Sequence, residues 1–252
     1  MAGELGPLGR PPSRPRFSEA MTNSTNASIR VPWSVRDMIL ATTMVIGSFI
    51  VFVLLMEPLT SAVGEDSAKL TFPWLVAASE SVLLFVVWRM AIRRYRLSWA
   101  TLGMRSPKCR GPIMLVIATL LASLVFGGIY TATVSGLGIE ALEPEPLPEE
   151  FLGDGLMLRL LTAVAVAGWV PFVEEIFFRG FLFQGLASRY GFLWGAIASS
   201  AIFSVAHLMI GAMIPIFVTG LLLTWVYNRS QTLWVPMAVH SAQNLIALII
   251  VV

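Results

Sequence analysis

The sequence predicts an all-α fold, a polytopic transmembrane helical bundle of about seven spans with a cytoplasmic N-terminus. Three observations predict it. Of the 252 residues, 56% are hydrophobic and 13% charged, where a soluble globular domain carries about 25% charged residues. The apolar residues fall in runs long enough to cross roughly 30 Å of hydrocarbon. Lys and Arg gather on alternate connections, as the positive-inside bias requires.

Residues 1–30, rich in Pro, Ser, Asn and Gly and without apolar periodicity, read as a disordered cytoplasmic tail. Met21 is a second candidate start, and no secretory signal pattern is present. The triplets at Asn23 and Asn26 fit the glycosylation pattern, but a cytoplasmic tail makes them chance matches. Residues 31–139 hold three spans, near 38–56, 70–88 (interrupted by Glu80) and 111–139. The basic connection 89–110 has no acid and belongs on the cytoplasmic side. Its Cys109 is the single cysteine, so no intrachain disulfide forms; an ordinary free thiol is the reading, with acylation the alternative.

Residues 140–156 form an acidic external loop whose Pro144, Pro146 and Pro148 argue against a helix. Residues 157–252 form the catalytic transmembrane core. Here 157–188 reads as one long helix, with Pro171 a candidate kink, that turns at Tyr190–Gly191, followed by spans near 190–209, 213–228 and 233–252. This orientation puts all 17 Lys and Arg in the cytoplasm except Lys69, Arg159 and the intramembrane Arg179. The basic residues are explained by membrane borders, so no nucleic-acid surface is inferred. The implied partner is the bilayer, and the location is a multi-pass integral membrane protein, in the plasma membrane if the source is bacterial or archaeal.

Polar groups inside such spans are costly and tend to mark function. Glu175 and Arg179 are i and i+4, the favourable order for a salt bridge on one helix face. Glu174 is turned about 100° away, without that partner, and is free to exchange a proton as a general base does. His207 lies 17 residues after Tyr190 and Glu174 16 before it. Two straight antiparallel helices would bring them level, about 25 Å from the turn. Phe203, at i−4 from His207, can shield the pair. His240 and Asn244 are again i and i+4, and both can donate hydrogen bonds toward one developing negative charge. His240 is nearer its own turn than His207, so tilt or a kink must bring the two together.

Glu174-Glu175-Ile176-Phe177-Phe178-Arg179 matches EExxxR, Phe203–His207 matches FxxxH, and His240–Asn244 matches HxxxN. In this order they resemble the CPBP, or Abi, family of intramembrane proteases, which includes the type II CAAX prenyl endopeptidases. The resemblance covers about residues 157–245. It implies an intramembrane endopeptidase in which Glu174 activates water, His207 assists, His240 and Asn244 stabilise the oxyanion, and Glu175 and Arg179 support the site. The substrate it implies is a membrane-associated protein or peptide, with prenylation left open. Metal-independent glutamate chemistry is favoured. If a metal is bound, the alternative is zinc on Glu174, His207 and His240, with one position left for water. Two other functions compete: a proton-coupled transporter with a relay through Glu80, Glu174, His207 and His240, and a catalytically silent bacteriocin-immunity or scaffold protein. Glu80 has no assigned role in any of them.

Overall fold

The computed structural model describes residues 30–63, 65–145 and 155–250, so the tail and most of the external loop lie outside the described residues. The first helix, α1 (Val35–Val63), starts where Ser34 and Asp37 cap each other. The Ser34 N–H donates to Asp37 Oδ2 at 2.8 Å, and the Asp37 N–H donates to Ser34 Oγ at 3.3 Å, a reciprocal use of helix-end donors. Tyr95 adds its hydroxyl to Asp37 at 2.6 Å and Arg94 its Nε at 3.4 Å. This ties the start of α1 to the end of the second limb, α2 (Glu65–Val87) with its π-helical extension Trp88–Arg93.

Pro112 opens α3 (Pro112–Gly136) directly after Gly111, whose φ is +70°. The expected third span ends three residues earlier than its apolar run, in a turn followed by the short 3-10 segment Glu140–Leu142.

The fourth limb departs from a plain helix. It runs α4 (Leu156–Ala163), π-helix Val164–Trp169, α5 (Val170–Glu175), π-helix Ile176–Phe183 and α6 (Gln184–Ala206). The turn expected at Tyr190–Gly191 is a one-residue break inside α6, at Gly191 with φ +83° and ψ 168°. The two arms pack so closely beyond it that a Cβ on Gly195 would lie 2.7 Å from the Ala187 backbone nitrogen. The last two helices are α7 (Met213–Ser230) and α8 (Trp234–Ile250).

Four stretches are long and apolar enough to cross a membrane: Val35–Met56, Pro73–Arg93, Pro112–Gly136 and Leu156–Ala206, the last broken at Gly191. Exposed side chains on α1 and α3, such as Leu54, Ile113 and Ile129, are what a lipid-facing surface needs. The chain is an integral membrane helical bundle.

Loops expected on one side of the membrane meet each other. The Arg105 Nε donates to Gln231 O at 2.7 Å, and the Leu233 N–H donates to Gly103 O at 2.9 Å, joining the basic connection to the α7–α8 turn. At the other end, a Cβ on Gly211 would collide with the Glu143 carbonyl, so the acidic loop lies directly on the α6–α7 turn.

The core is centred on the second π segment. Phe177, Phe181, Phe183 and Phe203 are all fully buried. The buried Trp33 stacks on Phe181 at 5.3 Å and donates its indole N–H to the Phe181 carbonyl at 3.1 Å. The chain just before α1 is thereby pinned to the helix that follows the two glutamates.

Candidate active site

The end of α5 supplies Glu174 and Glu175, the π segment Arg179, and α8 His240. All four are buried. Arg179 Nη1 donates to Glu175 Oε1 at 2.7 Å, as the i, i+4 spacing predicted. Its Nη2 reaches the Gly220 carbonyl at 3.5 Å, and its guanidinium lies 4.2 Å from the Phe203 ring centroid, an attractive cation–π placement. Glycine at 220 lets its helix lie against α6, because a Cβ there would be 2.9 Å from the Ser200 Cβ.

His240 spans both carboxylates. Its Nδ1 is 3.0 Å from Glu175 Oε1 and its Nε2 is 3.5 Å from Glu174 Oε2. An ionised carboxylate only accepts, so the Nδ1 carries hydrogen toward Glu175. Nε2 faces Glu174 Oε2 at ion-pair distance, so a proton on this nitrogen would point at the second carboxylate. Glu174 Oε2 and Glu175 Oε2 make no hydrogen bond among the described residues.

The structure therefore places His240 against Glu174, whereas straight helices would have placed His207 there. No ion pair or hydrogen bond joins His207 to Glu174 among the described residues. The fourth limb contributes to this. Eight of the residues between Glu174 and Gly191 are in the π segment Ile176–Phe183. Its i to i+5 bonds make wider turns that advance less per residue, so Glu174 lies closer to the Gly191 turn than an α-helix would set it.

His207 ends that arm, with Nδ1 2.8 Å from the Phe203 carbonyl. A carbonyl only accepts, so Nδ1 carries the hydrogen and Nε2 of the neutral ring is a bare acceptor. Phe203 lies edge-on between the two imidazoles, 4.7 Å from His207 and 5.7 Å from His240. Phe203 thus contacts both histidines and faces the Arg179 guanidinium.

Asn244 donates Nδ2 to the Val166 carbonyl at 2.9 Å. Proline creates that acceptor. In the π segment the Val170 N–H goes to Ala165 O, and the next donor in line for Val166 O would be residue 171, a proline without an N–H. A buried carbonyl left unpaired is costly, and Asn244 satisfies it with one of its two amide hydrogens, leaving the other free. The pairing joins two sequence features, Pro171 and Asn244, that had no visible connection.

Some contributors carried no sequence signal. Gln243 donates to Ser123 Oγ, which is 2.8 Å from Thr219 Oγ1, linking α3, α7 and α8 beside His240. Trp169 fixes α2 to the first π segment, with its Nε1 2.9 Å from Ser81 Oγ.

Of the set named for zinc, His240 faces Glu174 and His207 keeps a bare Nε2; no group of three His, Cys, Asp or Glu side chains among the described residues is arranged to hold a metal ion.

Residues 146–246 match the family described as "Type II CAAX prenyl endopeptidase Rce1-like". A protein of Bacillus subtilis (strain 168), described as "Putative membrane peptidase YdiL", is 26% identical over 135 residues, which are 52% of this chain and 53% of that protein. The chain thus spans about half the length of the curated relative it matches. No solved structure matches. The matched segment contains all three motifs, and it is similar to the CPBP proteases that those motifs resemble.

Proposed function

We propose that the protein is an intramembrane endopeptidase that cleaves a membrane-associated protein or peptide through water activated by Glu174. The observation that carries this reading is the buried quartet of Glu174, Glu175, Arg179 and His240, brought together from α5, a π segment and α8. A structural salt bridge needs only Glu175 and Arg179. A second carboxylate facing the same imidazole, with an oxygen bonded to no protein group, is what proton transfer needs.

In the working form His240 is protonated and both glutamates are ionised. Glu174 takes a proton from water, and the hydroxide oxygen bonds to the carbonyl carbon of the peptide. The carbonyl oxygen takes the negative charge, and the His240 Nε2–H and the second Asn244 amide hydrogen are the donors that meet it. Glu174 then returns its proton to the amide nitrogen, the C–N bond breaks, and a carboxylic acid, still carrying the second proton of the water, and an amine leave. His207, with Nε2 bare, assists by accepting a hydrogen bond from the attacking water once substrate displaces the Phe203 edge. Glu175 and Arg179 hold His240 in place. No step passes through a metal.

The test is cleavage of fluorogenic peptides, prenylated and unprenylated, by the purified full-length protein in detergent. Glu174→Gln should lower kcat by about 10²–10⁴-fold with an unchanged melting temperature. Full cleavage by that variant would exclude Glu174 as the base. Proton flux in liposomes without peptidase activity would instead support a transporter, and activity abolished by chelators and restored by zinc would overturn the metal-free route.

A further inference from the structure

A cavity of about 810 Å³ lies between α1, α2, the second π segment and the second arm of α6, within the size range of ligand sites. Ile50, Val53 and Leu54 on its α1 wall are each more than half exposed, so the cavity opens sideways toward lipid. The cavity lies beside the proposed catalytic centre without being lined by it: its Phe178 packs 5.0 Å from the Phe203 ring that meets both histidines, and its Ala206 and Leu208 flank His207 in the chain. The walls are apolar except for a few small hydroxyls and Glu80. Ser48 and Ser79 return their hydroxyls to the Val45 and Val76 carbonyls at 2.8 Å. Glu80 alone among the lining residues is ionisable, and its carboxyl makes no hydrogen bond or ion pair among the described residues. Next to it on α2, the Trp169 indole N–H is shared between the Ala77 carbonyl at 3.2 Å and Ser81 Oγ at 2.9 Å.

We propose that this cavity is a substrate subsite for a membrane-embedded peptide segment, and that Glu80 holds one basic side chain, lysine or arginine, of that segment. The proposal rests on the peptidase reading above and adds its substrate class. An occupant made only of hydrocarbon would fill the apolar walls but seal off the Glu80 carboxyl without a partner, which is unfavourable. A peptide that is apolar except for one cationic side chain satisfies both surfaces. It also arrives from within the bilayer, as the lateral opening requires, and lies beside the proposed catalytic centre. Glu80 is a positioning and specificity residue in this role and does not touch the reacting atoms.

The experiment uses the full chain carrying Glu174→Ala, in lipid nanodiscs, so that binding is read without cleavage. Three fluorescent transmembrane peptides differ only in one guest residue: leucine, glutamine or lysine. The lysine peptide should bind at least about tenfold more tightly than the leucine peptide. That preference should vanish with Glu80→Gln and survive with Glu80→Asp, both judged folded by their melting temperatures. Leu83→Trp, which fills the cavity, should weaken all three peptides. A lysine preference that persists in Glu80→Gln, or binding untouched by Leu83→Trp, overturns the subsite. So does a free isoprenoid alcohol that binds Glu80→Gln as well as the native residue and displaces every peptide alike, which would assign the cavity to a hydrocarbon chain. The two readings fail separately. Glu80-dependent peptide binding with no cleavage by the protein bearing Glu174 contradicts the peptidase; cleavage indifferent to Glu80 contradicts the subsite.

Discussion

One imidazole organises the buried charges. His240 meets Glu175 through Nδ1 and Glu174 through Nε2, so two neighbouring residues of one helix acquire different chemistry. Glu175 is held by Arg179 as well and has no freedom to move a proton; Glu174 has only the imidazole. Removing one partner of a buried ion pair leaves the other uncompensated. Arg179→Met should therefore cost about 3–5 kcal/mol of stability, seen as a large fall in melting temperature in detergent. Arg179→Met combined with Glu175→Leu should recover much of that stability and still lack activity, because His240 loses its anchor. Recovery of activity as well would show that the pair does not serve the site.

At the scale of elements, proline and asparagine act as one unit across two helices. Asn244→Ala leaves the half-buried Val166 carbonyl without its partner and should cost about 1 kcal/mol. Pro171→Ala supplies the missing backbone N–H, so in that background the loss from Asn244→Ala should shrink. A double-mutant cycle on thermal or denaturant stability measures the coupling; additive effects would mean that the carbonyl finds another partner. This pair also shows how far the sequence could be read. The Glu175–Arg179 bridge was legible because i, i+4 spacing survives into the start of the π segment, and the break at Gly191 was legible because glycine there follows a tyrosine between two apolar runs. The depth of Glu174 was not legible, since level was judged from the 3.6-residue turn. Which stretch takes i to i+5 bonds depends on what donates to the carbonyls it leaves over, as Asn244 does to Val166 O. That partner comes from a distant part of the chain. Gly220 was equally silent, because its value lies in what Ser200 and Arg179 do near it.

At the scale of the molecule, the two ends of the bundle agree with a single orientation. The basic connection bonds to the α7–α8 turn, and the acidic loop rests on the α6–α7 turn, so loops assigned to the same side touch. Cys109 is partly exposed in that basic connection. In sealed cells a membrane-impermeant maleimide should leave it unlabelled until the membrane is permeabilised; labelling of intact cells would invert the orientation.

The quartet itself has an electrical consequence. With His240 protonated, Glu174, Glu175, Arg179 and His240 together carry no net charge. A transmembrane field acts on charge at about 2.3 kcal/mol per elementary charge per 100 mV, so it finds nothing to push on in the assembled site. In the proposed mechanism the proton that leaves water for Glu174 returns to the amine within the same layer. Turnover in proteoliposomes should stay constant when a potassium diffusion potential of either polarity is imposed. A rate that follows the voltage would mean that protons reach this centre from one face of the membrane only.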